Sequence, residues 1–201
     1  MHAPLIGPLT PLIENRLWGD QGQYRIENSC VCLINANALG TEILKNLVLP
    51  GIGSFTIIDS SKITTEDDNN FFISKDSYGQ SRAKVATSLL LEMNPEVRGD
   101  FFEDSIESIL ESNSSIFSSF SAVIASNVFN ERTLVKLSEI LWNLNIPLIV
   151  CYSIGFIGYI QLQVREHFIV ESHPDYVLED LRLDDPFPGN FLESRTENFS
   201  R

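Results

Sequence analysis

The 201-residue chain is 43% hydrophobic and carries a formal net charge of −13 with a pI of about 4.5. That is enough apolar material for one sizeable core, and too acidic a balance for docking on nucleic-acid phosphates or an anionic membrane. A basic protein surface is the partner such a charge suits best.

The first twenty residues contain Pro4, Pro8 and Pro11 and no charged run before an apolar stretch, so neither a signal peptide nor a membrane anchor is expected and the chain reads as soluble and intracellular. Residues 1–15 read as irregular. Val31–Ile34 is an apolar run, and Gly40 opens a segment in which Ile43, Leu44, Leu47 and Val48 follow helical spacing until Pro50-Gly51-Ile52-Gly53 stops it. Phe55–Ile58 predicts a second strand, with a polar, turn-rich loop from Ser60 to Asn70. Together these make one βαβ unit. Ala83, Ala86, Leu90 and Met93 share a helical face that ends at Asn94-Pro95. A short strand at Phe101-Phe102, a short helix at Ser105–Leu110 and a buried strand at Ala122–Ala125 follow, the last entered from a serine-rich loop. Leu134, Leu137, Ile140 and Leu141 predict an amphipathic helix, and Pro147–Tyr152 predicts a strand covered on both faces. From Tyr159 the period changes. Ile160, Leu162 and Val164 alternate with Gln161, Gln163 and Arg165, and Phe168–Val170 follows, which predicts half-exposed antiparallel strands. Beyond His173-Pro174 the chain turns polar and acidic.

Cys30, Cys32 and Cys151 are the three cysteines, without a C-x-x-C pair or a neighbouring histidine at ligand spacing. Cys30 and Cys32 fall on one face of a strand, and all three read as small buried apolar residues.

The strand–loop–helix at residues 31–48 is where a phosphate chain would sit on loop N–H groups and a helix N-terminus. Here the loop is Asn35-Ala36-Asn37-Ala38-Leu39-Gly40. Laid on G-x-G-x-x-G, Asn35 and Asn37 hold the first two glycine positions and Gly40 the third, whose role is close helix–strand packing. Asn35 tolerates a left-handed turn, but the Asn37 side chain falls in space meant for phosphate. Asp59, 19 residues after Gly40, lies where an acidic residue would take a ribose hydroxyl; ordinary strand-end turn chemistry explains it equally well.

Residues Asn35 to Asp59, with Gly40–Leu47 and Pro50–Phe55, resemble the ThiF-type domain of ubiquitin-like-protein-activating enzymes. Within that family, Arg16-Leu17-Trp18-Gly19-Asp20, Asn69-Asn70-Phe71-Phe72, Glu171–Asp175 and Glu179–Leu183 resemble the regulatory subunits of the heterodimeric activating enzymes of neddylation. The resemblance runs from about Arg16 to Pro188. It implies a Rossmann-like α/β fold, with a mainly parallel sheet, helices on both faces and antiparallel strands at its C-terminal side. It also divides the chain into an N-terminal segment, a pseudo-adenylation domain at 16–172 and a polar tail at 173–201 that leads toward a helical insertion, so the chain reads as truncated.

Adenylating members of that family use a full glycine loop, an N-x-x-R-Q segment, a lysine before the next helix and an aspartate after a later strand. In this chain Asn70 stands where the arginine belongs, Arg82 replaces the lysine, and Ser126-Asn127 occupies the aspartate position. The resemblance therefore implies no catalytic residue, no metal and no nucleotide on this chain. ATP and magnesium are expected on a catalytic sister subunit, which also carries the thioester cysteine, and the ubiquitin-like protein is reached through the complex. A cytoplasmic location, with the nucleus as a second one, is implied too. Arg16, Trp18, Asn69, Phe71 and Phe72 are the candidate interface residues. In such dimers an N-terminal Y-D-R-Q segment lends its arginine to the partner's ATP; here Ile13 holds that position, and Arg16 reads more readily as an interface or surface residue. The rival readings are a dinucleotide-binding oxidoreductase with an unusual loop and a competent activating enzyme. Asn37 speaks against both.

Overall fold

The computed structural model describes Gly19 and residues 21–167. Residues 21–27 are helical. Six strands follow: β1 (Cys30–Ile34), β2 (Ser54–Ile58), β3 (Arg98–Phe102), β4 (Ala122–Ser126), β5 (Leu148–Ile154) and β6 (Ile157–Gln163). Between them lie helices α1 (Ala38–Val48), α2 (Arg82–Met93), α3 (Ile106–Ser112) and α4 (Glu131–Leu144).

The sheet order is β3-β2-β1-β4-β5-β6. The first five strands are parallel and β6 pairs antiparallel to β5. Consecutive parallel strands run outward from β1 to β3, then the order reverses through β4, which leaves a crevice at the carboxyl ends of β1 and β4. Strand periodicity divides the core in two. Cys32 and Ile34 of β1 face α3 and α4, in a cluster with Ile109, Leu137 and Leu141. Val31 and Leu33 face α1 and α2, in a cluster with Leu44, Val48, Ala86 and Leu90. Helices thus cover both faces, as the near-continuous apolar runs of these strands require.

Helices α1–α4 begin on side-chain caps: Asn37 for α1, Ser81 for α2, Ser105 for α3 and Asn130 for α4. Alpha-helix α1 ends where Gly51, at φ +85°, turns the chain toward β2. Burial pushes the Cys32 thiol well above its ordinary pKa, with Cys30 adding to the effect, and raises Cys151 as well. Both side chains are buried in the core as packing groups.

The strand at Phe101-Phe102 is longer than its letters suggest, beginning at Arg98 where it pairs with Ser54. The serine-rich stretch is not a loop but a 3-10 helix, Ser114–Ser119, pinned by Phe117, which is fully buried. Phe117→Ala is expected to cost about 3–5 kcal/mol in urea unfolding, whereas Ser118→Ala, on an exposed site, should change stability by less than about 0.5 kcal/mol.

Strand β6 departs from the half-exposed expectation. Its glutamines face the helix-covered side: Gln163 donates to the Ser138 carbonyl of α4 at 3.0 Å. Ile160 and Leu162 consequently project to the opposite side, 75% and 61% exposed. The expected strand at Phe168–Val170 lies outside the described residues, as do the segments 1–15 and 173–201. Among the described residues no helix is long and apolar enough to cross a membrane.

Candidate functional site

The crevice at the carboxyl end of β1 is built by the loop at residues 35–37. Asn35 takes φ +72°, the left-handed conformation that a first glycine would supply, and asparagine accepts it because its short amide finds local partners. Its Nδ2 donates to the Ser126 carbonyl at 2.8 Å. Asn37 caps α1. Its Oδ1 accepts from the Gly40 N–H and from the Ser126 hydroxyl, both at 2.8 Å. Gly40 is buried, and its missing side chain matters: an added Cβ would lie 2.5 Å from the Asn35 carbonyl oxygen.

Asp59, directly after β2, is 6% exposed and accepts three hydrogen bonds. Its Oδ2 accepts from the Ala36 N–H at 2.9 Å and from Arg82 Nε at 2.7 Å, and its Oδ1 accepts from the Ser61 N–H at 2.8 Å. Arg82, the first residue of α2, uses its other nitrogens on Asp67 Oδ1 at 2.8 Å and Asn35 Oδ1 at 2.6 Å. Burial works against the charge of this guanidinium, but the hydrogen bonds and charges of Asp59 and Asp67 outweigh it and hold the pKa above the ordinary arginine value. Asn70, 3% exposed, donates to the Ala36 carbonyl at 3.3 Å and accepts from the Thr41 hydroxyl and the Phe72 N–H.

Asn35, Asn37, Gly40, Asp59, Asn70, Arg82 and Ser126 are thereby brought into one connected cluster, with Asn127 beside it at φ +48°. Asp67 completes the cluster and was not singled out from sequence. Its signal was present: Thr64 and Asp67, three apart, form a capping box in which Asp67 Oδ2 accepts from the Thr64 N–H at 3.0 Å. Of the candidate interface residues, Asn69 and Phe71 are exposed, Phe71 at 74% with Lys45 over its ring. Phe72 is different. It is 3% exposed and packs in the core beside α1 and α2, because the edge-to-face Phe71–Phe72 pair turns only one ring outward. Arg16, Trp18 and Ile13 lie outside the described residues.

These residues do not fit a nucleotide. The Gly40 and Ala36 N–H groups, which a phosphate would seek, already donate to Asn37 and Asp59, and the Asp59 carboxylate is buried and already accepts three hydrogen bonds. A cavity of about 620 Å³ remains in front of the loop. Its walls carry Glu42, Glu66, Asp67, Lys62 and Arg82, of which Arg82 and Asp67 are paired with each other and Glu42 is paired with Lys45, so among the described residues the lining offers no cluster of free cations for a polyphosphate. Among the described residues no group of three or more histidine, cysteine or acidic side chains is placed to hold a metal ion.

Residues 10–176 match the ThiF family. The chain is 55% identical over 174 residues to the NEDD8-activating enzyme E1 regulatory subunit of Gallus gallus, covering 86% of this chain and 32% of that protein. It is 40% identical over 188 residues to the NEDD8-activating enzyme E1 regulatory subunit AXR1 of Arabidopsis thaliana, covering 92% and 35%. The chain thus spans about a third of the length of these curated relatives. In fold it is similar to the E. coli tRNA N6-threonylcarbamoyladenosine dehydratase TcdA, with a TM-score of 0.63, 22% identity and coverage of 70% of this chain and 59% of that one.

Proposed function

We propose, from the premise that this chain belongs to the ThiF family, that it is a regulatory, non-adenylating subunit of a ubiquitin-like-protein-activating enzyme in the neddylation pathway. The names of its relatives support the pathway. The observation that carries the non-adenylating part is the filled loop: the donors and the carboxylate that would meet phosphate and ribose are bonded to the chain's own side chains.

Nucleotidyl transfer requires cationic and metal groups aimed at the charge that develops on phosphate. In this crevice the guanidinium of Arg82 is turned inward onto two carboxylates. ATP and magnesium then belong to a catalytic sister subunit, and this chain contributes scaffold, with Asn69 and the exposed ring of Phe71 as part of the surface it offers. The ubiquitin-like protein is met through the complex, in the cytoplasm and nucleus. A dinucleotide oxidoreductase is disfavoured by the same bonds, since a pyrophosphate would have to displace Asn37 from the α1 terminus.

Three measurements test the proposal. ATP–pyrophosphate exchange by the chain alone should be indistinguishable from buffer, and co-expression with a sister subunit bearing an intact glycine loop should yield a co-purifying pair. Exchange by the isolated chain, or micromolar ATP or NAD binding in calorimetry, would overturn it.

A further inference from the structure

The connection between β2 and α2 runs from Asp59 to Ser81, longer than an ordinary loop in a compact domain. Connections of that length beside a phosphate loop need something to order them. Two short 3-10 helices, Thr65–Asp67 and Lys75–Ser77, and an isolated bridge between Lys62 and Ser81 give it only local structure. Ile63 and Phe72 anchor it to the core at 1% and 3% exposure. The stretch between those anchors carries Asp67, and Arg82 reaches it there.

Arg82 joins three separate pieces of chain. Its Nη2 holds the loop at Asn35, its Nε holds the end of β2 at Asp59, and its Nη1 holds the connection at Asp67. The side chain is 12% exposed, and the carboxylates of Asp59 and Asp67 are 4% and 9% exposed, so the charges are removed from water together. A planar fork that spans three acceptors is a geometry arginine supplies and lysine does not.

We propose that Arg82 is a positioning residue that serves as a built-in ligand, holding the loop at 35–37 and the connection at 60–81 in one arrangement where a working phosphate loop would rely on a bound molecule. It rests on the reading that this crevice takes no nucleotide. The consequence for assembly is direct: Asn69 and Phe71 ride on that connection, so the surface they form is set by Arg82 and does not vary with nucleotide supply.

Hydrogen exchange by mass spectrometry on the 201-residue chain tests this. In Arg82→Ala, peptides from 60–81 should exchange more than about tenfold faster and lose their protection within minutes, while peptides of β1 and β4 stay protected over the same minutes. Ethylguanidinium should restore protection in 60–81, and ethylammonium at equal ionic strength should not. Should Arg82→Ala fail to fold, Arg82→Lys keeps the charge without the fork and should show the same local loosening to a smaller extent. Unchanged exchange in 60–81, or loosening shared equally by the whole sheet, overturns the proposal and leaves the non-adenylating reading standing. Slowed exchange of 60–81 in the unsubstituted chain on adding ATP and magnesium overturns both.

Discussion

Gly40→Ala is expected to destabilise the chain by about 2–3 kcal/mol, even though alanine is the better helix former by about 1 kcal/mol. The added methyl would sit 2.5 Å from the Asn35 carbonyl oxygen, 3.1 Å from Leu33 Cδ1 and 3.2 Å from Ser126 Cβ. The first of these is backbone in a left-handed turn and cannot swing aside as a flexible side chain would. The start of α1 would have to lift off β1 and β4, which breaks the bonds from Asn37 to Gly40 and Ser126. For a domain of this size each kcal/mol corresponds to roughly 2–4 °C in Tm, so a fall of about 4–12 °C should be seen by thermal unfolding. A Tm within about 1 °C of the parent would mean that the close approach is not what this glycine provides.

Arg82→Ala is expected to cost more, about 3–5 kcal/mol, because it strands two buried carboxylates. Asp59 keeps the Ala36 and Ser61 N–H groups, whereas Asp67 keeps the Thr64 N–H. Asp67 is therefore the group whose charge should be relieved. In the Arg82→Ala background, Asp67→Asn should recover about 1–2 kcal/mol, although in the parent the same change removes the charge that pairs with Arg82 and should destabilise. The sign reversal is the informative part. It is read from urea midpoints at unchanged slope, and additive effects of the two substitutions would show that the Arg82–Asp67 pair is not energetically coupled.

Much of the fold could be read from the chain because its signals are local. Val31–Ile34 and Phe55–Ile58 are near-continuous apolar runs, and α1 and α4 carry clear helical stripes, so an alternating α/β order follows from spacing alone. The altered loop was equally legible, since Asn35, Asn37 and Gly40 are neighbours in sequence and each has a separate geometric duty. The bonding of Arg82 was not. Arg82 meets Asn35 and Asp67 across 47 and 15 residues, and those meetings depend on how a long connection folds back, which periodicity does not encode. Phe71 and Phe72 show the same boundary: two identical letters side by side, one in solvent and one in the core. In β6 the alternation was legible but its sense was not, because Gln163 is drawn inward by hydrogen bonds to Ser138 rather than expelled as polarity alone would suggest.

The filled crevice also bears on how such a site changes over generations. Asn37→Gly alone would leave the Gly40 N–H and the Ser126 hydroxyl short of an acceptor, and Arg82→Lys alone would leave Asn35 and Asp67 competing for one ammonium. Each single step back toward an open phosphate loop is thus uphill in stability before any affinity is gained. A crevice closed by mutual satisfaction behaves as a ratchet: drift can rearrange its residues, but reopening it needs several substitutions to arrive together.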